Sequence, residues 1–173
     1  MRPIVFILTI PVVALLTQPV WAPQWGAGIL GEIAAFGWLG GIAAIAVFFG
    51  LVALYVRALQ ALLAQVRAPN RIRSPRSLWL MFAIPFNFVE DFFIIAEVAR
   101  SVRAEGAVAE RRLVIWRWLG LGWCALQIVS LVPGETGVLA GVLALVAWAA
   151  HWVLTAQTTR ALRRNSRLAP RAA

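Results

Sequence analysis

Few residues in this 173-residue chain could carry chemistry, and most of them are carboxylates set in apolar sequence. Glu32 stands in ILGEIAAF, and Glu90, Asp91 and Glu97 stand in FVEDFFIIAEVAR. Ionisable side chains among apolar membrane segments are costly and mark ion pathways, proton relays or buried ion pairs. Glu32, Glu90, Asp91 and Glu97 are therefore the candidate ion-pathway residues. The structural alternative for the last three is pairing with Arg100, Arg103 or the arginines of residues 71–76.

His151 is the other isolated polar group. Ala147-Trp-Ala-Ala-His151 resembles the Ala-x-x-x-His spacing of light-harvesting helices, in which histidine ligates a bacteriochlorophyll. The resemblance implies His151 as a pigment ligand, and a packed or interfacial histidine is the plainer alternative. No metal site is expected. A Cys/His zinc site takes three or four ligands, and the chain has one histidine and one cysteine, Cys124. That cysteine lies in apolar sequence and reads as a small packed hydrophobe. No Gly-x-Ser-x-Gly, His-Glu-x-x-His or P-loop pattern occurs, so no catalytic residue and no enzyme activity are expected. No cofactor beyond the His151 alternative is called for.

Two pairs of glycines offer a different chemistry, that of close helix contact. Gly37-x-x-x-Gly41 and Gly137-x-x-x-Gly141 are small-residue faces that let backbones approach. They serve packing within the chain or docking onto another membrane subunit.

The elements that must position these residues follow from composition. Apolar residues make up 62% and charged residues 13%, against about 45–50% and about 25% in soluble domains. A water-soluble body this small cannot hide so much apolar surface. The chain reads as an all-α polytopic protein of a bacterial inner (cytoplasmic) membrane, forming a single membrane domain over 1–173. A net charge of +9 carried entirely by arginine is assigned to the membrane's cytoplasmic face, where it meets anionic lipid, and not to nucleic acid.

A spanning helix needs about 20 apolar residues. Residues 4–21, 27–56, 113–132 and 137–156 qualify. A fifth apolar stretch, 78–98, is broken by Pro85 and Asn87 and loaded with three acids. Arginine placement arbitrates. If that stretch spans with the N-terminus inside, 6 arginines lie inside and 10 outside; if it enters and returns on the same side, all 16 lie inside. The positive-inside rule selects the second arrangement. The expected topology has four spanning helices and a non-spanning element over 78–105, re-entrant or interfacial. A basic loop (57–77), a basic tail (157–173) and both termini are cytoplasmic.

Within that element, Pro85 breaks the chain and Asn87 is expected to cap the helix that follows. Glu90 and Asp91 suit its first turn. An amphipathic pattern then runs to about Glu105, with Phe92, Ile95, Val98, Ala99 and Val102 on one face. Arg2, an apolar core and Val20-Trp21-Ala22 also admit a cleaved signal peptide.

The stretch RIRSPRSLWLMFAIPFNFVEDFFIIAEVARSVR resembles a bacterial multipass membrane family, a domain of unknown function. The matching positions are Ser74-Pro75, Trp79, Pro85, Asn87, Glu97 and Arg100, followed by Trp116, Trp118 and Trp123. Only Phe86 separates Pro85 from Asn87, a departure from that family's spacing. The resemblance implies a topology and no activity. The expected role is a non-catalytic accessory or scaffold subunit that binds other membrane proteins or lipid. A small transporter using the acids and a pigment-binding or assembly protein using His151 are the alternatives.

Overall fold

The computed structural model describes residues 2–168, which form seven α-helices and three short 3-10 segments with no strand among them. The helices are α1 (Pro3–Leu16), α2 (Gln18–Trp21), α3 (Gly28–Ala34), α4 (Gly37–Leu63), α5 (Asn87–Glu105), α6 (Glu110–Val129) and α7 (Glu135–Leu168). Two of them are long and apolar enough to cross a membrane, α4 over Gly37–Leu63 and α7 over Glu135–Asn165, and α1 is apolar but shorter.

Two of the expected continuous spans are interrupted. Residues 4–21 break at Thr17, where the Thr17 hydroxyl donates to Val13 O at 2.8 Å and Pro19 has no amide to continue the ladder. Residues 27–56 break before Gly37, whose φ of +68° is open to glycine and unfavourable to other residues. The helix beyond that break runs on to Leu63, further than the expected end.

Between α4 and α5 the chain makes an out-and-back excursion. A 3-10 helix, Pro75–Phe82, runs back along α4, with Gln60 donating to Pro75 O at 3.0 Å near one end. Phe49 and Phe82 meet at a ring distance of 5.8 Å near the other. Ser74 opens this segment, its side chain accepting from Arg76 N. The chain reverses through residues 83–86, which include a cis Ile84–Pro85 peptide, and α5 returns. At the base of the hairpin Glu105 meets Arg67 and Asn70, so both arms start and finish at the same level.

α5 ends on Gly106, whose φ of +69° makes the left-handed turn into α6. α6 lies antiparallel to α5, as Gln127–Asp91 and Arg103–Glu110 contacts at opposite ends require. α7 turns back along α6. The main core gathers Tyr55, Leu59 and Leu62 of α4, Ile94, Ile95 and Val98 of α5, Trp116 and Trp123 of α6, and Trp148 of α7. A second cluster packs Val5 and Val12 of α1 against Val89 and Leu131.

α5 is thus the central helix of the bundle. A helix lying on a membrane surface would keep its polar face open. Here Glu90, Asp91, Glu97 and Ser101 are buried along with the apolar face, because the loop and 3-10 arm before α5, α1 and α6 cover them. The polar side of α5 is therefore enclosed as well as its apolar side.

Candidate functional site

The loop before the 3-10 arm is stapled to α5 at one polar point. Ile72 N donates to Ser101 Oγ at 3.0 Å, and Ser101 Oγ donates to Glu97 O at 2.8 Å. That staple places Arg73 over two acids that stand two helical turns apart on α5. Arg73 Nη2 donates to Glu90 Oε1 at 2.5 Å, and Nε donates to Glu97 Oε2 at 2.6 Å. All three side chains are at most 8% exposed. Burial removes the competing water, so these charge-assisted bonds are strong.

Glu97 has further cations. Arg2 forms an ion pair with its other oxygen and lays its guanidinium over the Phe93 ring at 4.7 Å. Arg100 Nη2 stands 3.8 Å away. Among the described residues Glu90 has Arg73 alone.

Asp91 belongs to a different contact. Gln127 of α6 donates to its Oδ2 at 3.2 Å. Four buried atoms at this end have no hydrogen-bond partner: Asn87 Oδ1, Glu90 Oε2, Asp91 Oδ1 and Arg73 Nη1. Asn87 does not cap α5. It lies inside the helix after Phe86 in the cap position, with no side-chain cap bond. Pro85 does sit in the reversal, in its cis form.

The base of the hairpin carries its own acid. Glu105 accepts from Arg67 N at 3.0 Å, Arg67 Nε at 2.8 Å and Asn70 Nδ2 at 2.9 Å. Partial burial pushes this carboxyl up, and the bonds from Asn70 and Arg67, with the Arg67 charge, outweigh it and hold the group below its ordinary value.

The arginine partners are selected by geometry. Of those the sequence offered, Arg73 takes two acids and Arg100 approaches one, while Arg103 turns away to Glu110 at 2.5 Å. Glu32 lies in α3, and its side chain is outside the described residues.

His151 is fully enclosed. Its Nδ1 shares a 2.7 Å hydrogen bond with the Tyr55 hydroxyl, and Trp116 lies against the ring with centroids 4.3 Å apart. The Trp116 indole donates to Thr155 Oγ1 at 2.9 Å, and that hydroxyl donates to His151 O at 2.8 Å. Nε2 has no partner and faces Gly120 so closely that a Cβ there would stand 2.7 Å from it. With one nitrogen held by Tyr55 and the other against the α6 backbone, neither presents an open axial direction to a pigment macrocycle. Trp123, Trp148 and Trp152 complete the ring cluster around Tyr55.

Cys124 is buried and free. Among the described residues no three His, Cys, Asp or Glu side chains come together as a metal site.

The glycine pairs separate into different uses. Gly41 packs on Ile33 of α3, where a Cβ would approach within 3.3 Å. Gly37 is a turn residue in open space and offers no close helix face. Gly137 lies tight on the Val132 carbonyl, and Gly141 faces Ser130, so both serve the α6–α7 turn within the chain. The close contact that governs the core is at Gly120, outside either spaced pair. Tyr55, Arg73, Ser101, Gln127 and Gly120 are the site residues that motif spacing does not single out. They lie far from their partners along the chain.

No protein-family model, no curated protein and no solved structure matches this chain.

Proposed function

We propose that this chain is a polytopic bacterial inner-membrane protein that acts as a non-catalytic accessory or scaffold subunit. It offers apolar helix faces to other membrane proteins and an arginine-rich cytoplasmic face to anionic lipid. The 3-10 arm is about 16 Å long at 2.0 Å per residue, short against a hydrocarbon core of about 30 Å. A hairpin entering and leaving on one side accounts for that length. It also brings the basic residues around Arg67, Arg103 and Arg111 to one end.

The observation that carries the structural role is the Arg73 bridge between Glu90 and Glu97. The acids best placed for an ion path are engaged in closing the hairpin. The outer face of α4 remains apolar and uncovered, with Trp38 81% and Leu39 78% exposed, as lipid or a partner helix requires. Native co-purification after mild solubilisation tests the role. A stoichiometric membrane partner is expected, and a partner-free monomer overturns it. For the topology, cysteines placed at Gln24 and Thr136 should react with a membrane-impermeant maleimide from outside. Cysteines at Ala68 and Ala107 should both be protected, and labelling of only one of that second pair overturns the hairpin.

A second reading, a small transporter, is favoured by the unpartnered oxygens of Asn87, Glu90 and Asp91. Irregular backbone and buried, unpartnered acceptors near a broken helix suit a proton or cation. Transport by the protein in vesicles, lost in Asp91→Asn, supports it, and no ion flux in the parent protein excludes it.

A further inference from the structure

Next to the base of the hairpin, α6 and α7 leave a groove of about 390 Å³ lined by Ala109, Arg111, Arg112, Ile115, Leu154 and Gln157. Its chemistry is divided. Arg111 and Arg112 come from the first turn of α6, and Ile115 and Leu154, about one turn further along α6 and on α7, are apolar. We propose that this groove seats one anionic phospholipid, its phosphate on Arg111 and Arg112 and the start of an acyl chain along Ile115 and Leu154. The proposal rests on the membrane placement above and names the lipid seat on that face.

Three observations support this occupant. First, Arg111 and Arg112 form no ion pair among the described residues, unlike Arg2, Arg67, Arg73 and Arg103. Second, the acid on the same turn is neutralised, because Glu110 accepts from Arg103 Nε at 3.1 Å and Nη2 at 2.5 Å. The groove therefore keeps its positive charge, and the amino end of the 20-residue α6 adds to it. Third, the groove lies at a fixed point along the two helices. Trp116 and Thr155, each next in sequence to a lining residue, tie α6 to α7, so Ile115 and Leu154 stand where the helices enter the core. The Asn165 side chain donates to Ala107 O at 2.7 Å and holds α7 beside the groove's outer rim. A basic cleft between helices at the cytoplasmic boundary is the form of an anionic headgroup site. A choline or ethanolamine headgroup brings a cation to two arginines and has no free carboxylate to meet.

Native mass spectrometry of the full chain, purified in detergent, tests the proposal with dioleoyl phosphatidylglycerol and dioleoyl phosphatidylcholine as probes. Phosphatidylglycerol should bind about tenfold more tightly or better. Arg111→Gln with Arg112→Gln should weaken it about thirtyfold, the effect of two interfacial arginines. Arg57→Gln with Arg76→Gln removes the same charge from the same face and should change binding less than about threefold. Arg111→Lys with Arg112→Lys retains both charges and should stay within about fivefold of the parent. Leu154→Ser should weaken the lipid without creating a site for inorganic phosphate, which should not compete. Equal binding of the two lipids, equal loss in the Arg57/Arg76 control, or displacement by inorganic phosphate would each overturn the lipid seat. Fractionation separates this from the wider reading. A soluble chain overturns membrane residence, whereas a membrane-bound chain with no lipid preference overturns the seat alone.

Discussion

Replacing Arg73 by methionine removes the one guanidinium that closes the hairpin over Glu90 and Glu97. The magnitude follows from what each acid has left. Breaking a buried ion pair by deleting one partner costs about 3–5 kcal/mol, because a charge is stranded away from water. Arg73 makes two such bonds, and a simple doubling would exceed the stability of many domains. Glu97 retains Arg2 and Arg100, so its loss is small. Among the described residues Glu90 has no second cation, and it already has an unpartnered oxygen. The expected cost is therefore that of one stranded carboxylate, about 3–5 kcal/mol. It should fall on Glu90, and replacing Glu90 by leucine in the Arg73→Met chain should recover the stability to within about 1 kcal/mol of the parent, as apolar replacements of buried pairs do. Replacing Glu97 instead should give little recovery. The assay is reversible unfolding in mixed micelles, read by tryptophan fluorescence for the parent, both single variants and the double variant. A cost under about 0.5 kcal/mol for Arg73→Met, or no recovery with Glu90→Leu, would refute the reasoning, since either shows Glu90 solvated or paired without Arg73.

Three further outcomes follow from the same packing. Gly120→Ala should destabilise by about 1–3 kcal/mol through overpacking, since its Cβ would meet His151 Nε2 at 2.7 Å and Ile95 Cγ2 at 2.8 Å. Gly122→Ala, two residues on with nothing near it, should be neutral or stabilising in the same thermal denaturation. Tyr55→Phe should cost about 1–3 kcal/mol by leaving the buried imidazole without its hydrogen-bond partner, and the loss should be absent in a His151→Phe background. Glu105→Gln should be less stable than the parent at neutral pH. Because the folded-state value of Glu105 is held below 4.5, its contribution is present above pH 4.5 and is lost as pH falls through the lower, folded value. The difference between parent and variant should therefore close with acidification in that range, as a pH series of melting curves would show.

The relation between sequence and structure differs from element to element. Helical content, the apolar character of α4 and α7, and the broken central stretch all follow from local chemistry. Apolar run length, Pro85 and the density of acids near Glu90 are readable one residue at a time. So is the pool of cationic partners, because residues 71–76 are arginine-rich. Which arginine meets which acid is not readable that way. Arg73 reaches Glu90 and Glu97 only after a 3-10 arm has run back along α4 and Ile72 has bonded to Ser101. The same holds for Trp116, which packing buries on His151 of a distant helix. Spacing marked Gly37 and Gly137 because a repeat of four is visible in one strand of letters. Gly120 became the close contact because two helices from distant sequence bring His151 and Ile95 onto it. Composition and periodicity set the secondary structure and the apolar character of the long helices, since those depend on neighbours within a few residues. The partners of Arg73 and the hydrogen bond that holds His151 depend on contacts between 17 and 96 residues apart, and only the folded bundle decides them.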